Sequence, residues 1–411
     1  MIKYIPLRTA ALFLLAGMLF SCTYTMKEEP SEKYLIMLSM DGFRWDYTDK
    51  TETPNFDRIA SEGVKAESLK PCFPTKTFPN HYSIATGLHP DHHGIVQNSF
   101  YDPEMDSYYA IRDREAVENG DFYGGEPIWN TAEKQGVKAG CFFWVGSEAD
   151  VQGMYASYTK KYDHDLPFGH RVDSVIAWLE LPEEKRPRLI MWYMHEPDSK
   201  GHYYGPENPG LLPTITTLDS LLGVFLDRLE KLPIYEDINI IVTSDHGMGP
   251  TSNDRVVYFD DYIEEEWFST IQGYNPNYLF KVKEEYRNKA FRALKEMENV
   301  SVWKYGEVPE RLHYGTNPRT LDFILVADSS WSVGWRKDEG RFDGGAHGYD
   351  NSNKDMHAMF YAMGPDFREN YIHPTFENID IYPLIAEILG LQPAEVDGKL
   401  ENVKEMLVNE Q

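Results

Sequence analysis

Three apolar runs recur along the chain, and each stops at an acid. They are "YLIMLSMDG" at 34–42, "RLIMWYMHEPD" at 188–198 and "INIIVTSDHG" at 238–247. Each has the length of a strand buried on both faces. Between them lie segments with helical periodicity, among them "TPNFDRIASEG", "EPIWNTAEKQG" and the long "NPGLLPTITTLDSLLGVFLDRLEKL". This alternation predicts parallel β-α-β units and an α/β fold with a doubly wound, mostly parallel sheet. Sites in such sheets form beyond the carboxyl ends of the strands. All three runs deliver Asp or His to that edge.

The pattern changes over 255–340. "YLFKVKEEYRNKAFRALKEM" and "TLDFILVADSSWSVGW" read as a small α+β insertion on the main sheet. The chain returns to the core at "MHAMFYAMGP" and closes with the helix "IDIYPLIAEILG". There is no internal repeat.

The beginning of the chain reads differently again. Lys3 and Arg8 precede the apolar run "AALFLLAGMLF", and Ser21-Cys22 follow it. The run is short for a membrane span and has the layout of a secretory signal over 1–21. "LFSC" resembles a bacterial lipoprotein box, with Cys22 as the lipidated first residue of the mature chain. Residues 22–33 are polar, as suits a tether, and 34–411 remain for the folded domain. The implied location is the bacterial periplasm or cell surface, with the membrane reached only through Cys22. After Cys22 only Cys72 and Cys141 are left. In an exported chain a bridge between them and two buried thiols are both open.

Composition narrows the partners. The 411 residues carry a formal net charge of −26. Such a surface repels nucleic acid and anionic lipid as bulk partners. An anionic small molecule then needs positive charge supplied locally.

Four short stretches concentrate the chemistry. "SMDGFRWD" contains Asp41, "EPDSKGHYYGP" contains Asp198 and His202, "TSDHGMG" contains Asp245 and His246, and "GGAHGYDN" contains His347. Taken singly, each is an ordinary strand-ending turn or surface residue. Taken together they are three carboxylates and three imidazoles at successive strand ends. Oxygen and nitrogen donors without thiolate suit zinc or a similar borderline metal. Six such ligands and a hydroxyl are enough for two ions with open positions, the arrangement that clamps a phosphoryl transfer. The hydroxyl stands in "PTKTFPNHYSIATG", 74–87, where irregular backbone becomes helix. There Thr77 either caps the helix or is a nucleophile in the positive field of the helix start. His92, His93 and His357 need no function.

The motifs "PTKTFPNHYSIATGLHPDHHGIVQNSFYD", "GEPIWNTAEKQG", "FFWVGSE", "EPDSKGHYYGP", "SDHGM" and "AHGYDN" occur in order along the chain. In these the sequence resembles the nucleotide pyrophosphatase/phosphodiesterase family of the alkaline phosphatase superfamily, over almost everything after the tether. The resemblance implies an alkaline-phosphatase-like fold with two Zn²⁺. It implies Thr77 as nucleophile. It also implies Asp198, His202 and His347 on one zinc, and Asp41, Asp245, His246 and the Thr77 hydroxyl on the other. Asn98 falls where the family places the amide that holds a non-bridging phosphate oxygen. "CFPTK" at 72–76 also resembles the sulfatase signature, but Lys76 replaces its Arg, and Thr86-Gly87 follow Thr77 at the sulfatase interval. The nucleophile frame is therefore Thr77, and Cys72 is packing.

The implied reaction has two displacements: attack by Thr77, a phosphothreonine intermediate, then hydrolysis, with net retention at phosphorus. Phe78, Trp144 and Tyr193 match positions that line the family's substrate pocket, although an aromatic on a strand also reads as core. Stacking there favours nucleotides, releasing nucleoside 5′-monophosphates. A quaternary ammonium against the same rings, with Glu148 as counter-charge, would instead make the chain a choline-type phosphodiesterase. The same fold also accommodates a phosphomonoesterase, a phosphonate hydrolase or an inactive binder. The run "EAVENGDFYGGEPIW" lacks the Lys that some nucleotide-cleaving relatives carry.

Overall fold

The computed structural model describes Met1 and residues 32–408. The signal and most of the tether lie outside the described residues. The three apolar runs form adjacent parallel strands, Leu189–Met194, Tyr34–Met40 and Ile238–Thr243. They occupy the middle of an eight-stranded sheet. Beyond Leu189–Met194 come Ala139–Phe142 and Tyr158–Lys160, both parallel to it in sense. On the other side Phe360–Met363 runs antiparallel to Ile238–Thr243, and Val64–Ala66 and Tyr371–His373 complete the edge. The sheet is therefore mostly parallel.

Side chains alternate between two buried faces. Leu35, Met37, Leu189 and Met191 point to one, Ile36, Leu38, Ile190 and Trp192 to the other. Helices Thr77–Thr86, Ile128–Lys134 and Ile381–Leu389 cover the first face through Ile84, Trp129 and Ile385. Helices Pro54–Glu62, Phe168–Leu179 and Leu212–Leu229 cover the second through Phe56, Val175 and Phe225. Both faces are wound with helices, as the sequence pattern predicts. Leu212–Leu229 is apolar because one side of it packs on this core.

Register sets the level of the site. Ser39 pairs with Tyr193 on one side and Thr243 on the other. The residues after all three strands therefore emerge at one height, beyond the carboxyl edge.

A second sheet is built from Phe268–Tyr274, Asn277–Val282, Phe323–Ala327 and Val300–Lys304, all antiparallel. With helix Arg287–Lys295 it encloses its own core of Phe259, Phe280, Leu294 and Phe323. The turn of its first hairpin, Asn275-Pro276, rests beside Lys76, whose ammonium donates to Asn275 O at 3.1 Å. Cys72 and Cys141 are both buried and free, and burial pushes both thiols up in pKa.

Candidate active site

Asp41 directly follows its strand, and its carbonyl accepts Asp198 N–H at 3.0 Å. This closeness requires Gly42. Its φ is +69°, and a Cβ there would lie 2.9 Å from Asp198 Cα. Gly42 N–H in turn donates to Asp245 Oδ1 at 3.1 Å. A two-residue turn thus ties all three strand-end carboxylates together. In each, one oxygen is buried without a hydrogen-bond partner among the described residues: Asp41 Oδ1, Asp198 Oδ1 and Asp245 Oδ2. An unpaired buried anion is costly, and a bound cation is the partner such oxygens fit.

The histidines complete the donor set. His246 Nε2 lies 3.0 Å from Asp245 Oδ2 and 3.5 Å from Asp41 Oδ1. Asp198 Oδ1 is 3.4 Å from His202 Nε2 and 3.8 Å from His347 Nε2. The rings of His246 and His347 stack with centroids 3.6 Å apart, so the two groups share a wall. In all three, Nδ1 is taken by a backbone carbonyl: Gly345 O at 2.8 Å for His202, Gly247 O at 2.8 Å for His246 and Thr75 O at 2.7 Å for His347. A ring that donates from Nδ1 presents the Nε2 lone pair, the form a metal takes. Two clusters result, Asp41-Asp245-His246 and Asp198-His246-His347, with ligand atoms within 4.8 Å of one another in each. His202 joins the second through Asp198.

Thr77 is the first residue of helix Thr77–Thr86, and its Oγ lies 3.2 Å from His246 Nε2. Within 71–87 only Thr77 and Phe78 are not buried. Asn80 shapes the turn from inside. Its Oδ1 accepts Cys72 N–H at 2.7 Å, and its Nδ2 donates to Pro74 O and Lys76 O at 3.0 and 2.9 Å. Asn98 Oδ1 accepts the N–H of Phe78, the residue after Thr77, at 2.9 Å, which leaves its Nδ2 to donate to the Tyr274 hydroxyl at 3.1 Å.

Electrostatics without a metal record the crowding of charge. Burial, then Asp245 and Asp198, pushes Asp41 well above the usual carboxylate range. Burial pushes Asp245 the same way, but His246 and His81 outweigh it and hold it low. Burial depresses His347, helped by His246, Lys76 and His202. Burial also lowers the Lys76 ammonium to about 7, against the pull of Asp198.

The pocket residues divide. Phe78 is half-buried, next to Thr77 in the chain. Tyr193 turns its hydroxyl to Asp41 Oδ2 at 2.6 Å, which makes it a support of that carboxylate. Trp144 is 1% exposed and donates to His81 O at 3.1 Å, so it packs behind the site. Glu148 is ion-paired with Arg114. Three neighbours escape a reading of the sequence. His81 lies 3.4 Å from Asp245 Oδ2 and contacts Ser39 Oγ at 2.9 Å. Tyr162 packs near Tyr193, with ring centroids 6.1 Å apart. Tyr274, from the insertion, accepts a bond from Asn98. His81 stands four residues after Thr77, one helical turn on, and that spacing is the signal that could have found it. Nothing local marks Tyr162 or Tyr274.

Residues 35–350 match the type I phosphodiesterase / nucleotide pyrophosphatase family. A venom phosphodiesterase of Crotalus durissus collilineatus is 37% identical over 387 residues, 91% of this chain and 46% of that one. Ectonucleotide pyrophosphatase/phosphodiesterase family member 3 of Mus musculus is 35% identical over 385 residues, 91% of this chain and 44% of that one. The chain spans about half the length of the curated relatives it matches. Among solved structures, murine ectonucleotide pyrophosphatase/phosphodiesterase 5 superposes with a TM-score of 0.88 at 34% identity, covering 92% of this chain and 100% of that one. An inactive threonine-to-alanine variant of that protein, in complex with AMP, matches equally well. The chain belongs to the type I phosphodiesterase / nucleotide pyrophosphatase family, and its fold is the alkaline-phosphatase-like α/β fold.

Proposed function

We propose that the protein is a zinc-dependent hydrolase of phosphodiester and pyrophosphate bonds in nucleotides and their derivatives, releasing nucleoside 5′-monophosphates. One observation carries the reading: three buried, unpartnered carboxylate oxygens lie in two ligand clusters that share His246, whose Nε2 is 3.2 Å from the Thr77 hydroxyl. Asp198, His202 and His347 are assigned to one zinc, and Asp41, Asp245, His246 and Thr77 to the other. When bound, two zinc ions supply Lewis-acid charge that lowers the pKa of ligated oxygens and stabilises the attacking and leaving oxygens.

The remaining work falls to the chain itself. Thr77 Oγ forms a bond to phosphorus as the bond to the leaving oxygen breaks, giving a phosphothreonine. Water then cleaves that ester and restores the hydroxyl. Two inversions give net retention. Asn98 Nδ2 donates to a non-bridging oxygen as charge grows on it. Phe78 offers its face to the base. The AMP complex of the murine relative supports a nucleotide over a choline ester. So does the Arg114–Glu148 pair, which neutralises the counter-charge a quaternary ammonium needs. Export, with a lipid on Cys22, places this activity at the periplasm or cell surface, and membrane fractionation of Cys22→Ser tests that placement.

The test of the reaction is kcat/KM on p-nitrophenyl thymidine 5′-monophosphate against p-nitrophenyl phosphate, with Thr77→Ala as control. The expected result is a strong diester preference lost on substitution and on chelation. A monoester preference overturns the substrate class, and activity that survives Thr77→Ala overturns the mechanism.

A further inference from the structure

One residue of the insertion reaches the nucleophile turn. Tyr274 ends the strand Phe268–Tyr274, at the edge of the Asn275-Pro276 hairpin turn. Its hydroxyl oxygen accepts a hydrogen bond from Asn98 Nδ2 at 3.1 Å. Asn98 is 2% exposed, and its amide is oriented by the Phe78 N–H on Oδ1. The tyrosine is fixed from the other side as well. The Lys76 ammonium stands 4.1 Å from the centroid of its ring and donates to Asn275 O. Asn275 Oδ1 accepts Val333 N–H at 2.9 Å, and its Nδ2 donates to Ser332 Oγ at 3.2 Å. A phenol from a separate sheet is thus held against the Asn98 amide.

A tyrosine hydroxyl that accepts one hydrogen bond still has its own hydrogen to give. Among the described residues none receives it. The residue is 44% exposed, so part of its ring faces solvent while the hydroxyl is turned in toward Asn98. An amide nitrogen carries two hydrogens, and Asn98 spends one on Tyr274. Whatever accepts the second lies next to the phenol. On the function proposed above, that group is a charged phosphoryl oxygen.

We propose that Tyr274 is a phosphate-contacting residue supplied by the insertion, its O–H donating to a non-bridging oxygen of the phosphoryl group held at Asn98. This rests on the reading of Asn98 given under the proposed function. The insertion then does more than flank the sheet. It completes the set of donors around the reacting phosphorus, and its hairpin, anchored through Lys76 and Asn275, sets their spacing. Hydrogen bonds to a charged acceptor are the strong kind, and the effect of losing one is large enough to measure.

Tyr274→Phe tests this, because it keeps the ring and its contact with Lys76 and removes only the hydroxyl. Three readouts on zinc-loaded protein are needed, with an unchanged thermal melt as the folding control. Calorimetric affinity for thymidine 5′-monophosphate is expected to fall about tenfold. kcat/KM on p-nitrophenyl thymidine 5′-monophosphate is expected to fall by a similar factor. The rate ratio of the two phosphorothioate diastereomers of that diester is expected to move toward unity, since only one places sulfur at the phenol. A structural role alone leaves that ratio where it was. Affinity within twofold of wild type, or an unchanged ratio, overturns the proposal. Wild type that binds the monophosphate but hydrolyses no diester overturns the proposed reaction alone, because the affinity still scores Tyr274. Wild type that binds neither overturns both.

Discussion

Tyr193 and Asp41 stand on neighbouring strand ends, and the phenol donates to Asp41 Oδ2 at 2.6 Å. That bond leaves Oδ1 facing His246, 3.5 Å away and without another partner among the described residues. It also stabilises the charged form of a carboxylate that burial, Asp245 and Asp198 all disfavour. Outer partners of this kind commonly change metal affinity by 10- to 100-fold. Tyr193→Phe is therefore expected to weaken zinc binding about tenfold, measured by competition with a chromogenic chelator. Affinity equal to wild type would show that the phenol only fills space.

Metal removal should destabilise the whole sheet edge. Asp245 and Asp198 both disfavour the charge on buried Asp41 when no cation lies between them. Zinc at 100 times its Kd is worth about 2.7 kcal/mol to the folded state. A chelator should lower the Tm by several degrees, and zinc should restore it. In Asp245→Asn the difference should shrink. A Tm indifferent to chelator in wild type would remove the case for a metal centre.

Gly42 and Gly136 both have positive φ, +69° and +81°, but only Gly42 is crowded. A Cβ at Gly136 meets nothing within 4 Å. Gly136→Ala should cost about 1 kcal/mol, the backbone strain alone. Gly42→Ala should cost clearly more and weaken zinc binding, because Asp198 must move. Denaturant melts and zinc titration of the pair check this. Equal costs would mean that the Asp41–Asp198 turn yields easily.

His93 gives a pH dependence away from the candidate metal ligands. Its Nδ1 accepts Ile95 N–H at 3.1 Å, and its Nε2 lies 2.9 Å from Ser83 Oγ. Burial, with His89 next, depresses its pKa to about 3. A folded pKa below the unfolded 6.5 means that the unfolded chain binds the extra proton. Stability is complete above about pH 6.5 and is lost as pH falls toward 3. At pH 5 the loss from this one ring is about 2 kcal/mol. His93→Asn, melted in chelator from pH 7 to 5, should show a shallower fall in Tm than wild type. Parallel curves would show that His93 escapes to solvent before it titrates.

Much of this protein is decided locally. Apolar runs of six or seven residues ending in acid make strands buried on both faces, as strands of a parallel sheet covered by helices on each side read. Their carboxyl ends then carry Asp41, Asp198 and Asp245, and the Thr77 turn is set by its own prolines and Asn80. The rest is decided by docking between distant segments. Tyr274 reaches Asn98 across 176 residues of chain, and Tyr193 reaches Asp41 across 152. Trp144 is core and not pocket because His81 packs over it, and Glu148 is neutralised by an Arg114 that nothing nearby in sequence announces. Which atoms meet there depends on strand register and on where the insertion lands. Those are properties of the packed whole. The sequence by itself determined the strands, the helices that flank them and the kinds of side chain placed at the edge. Only the tertiary structure decided which oxygen stays unpartnered, which imidazole nitrogen the backbone leaves free and which phenol stands against Asn98, since each is settled by contacts between segments far apart in the chain.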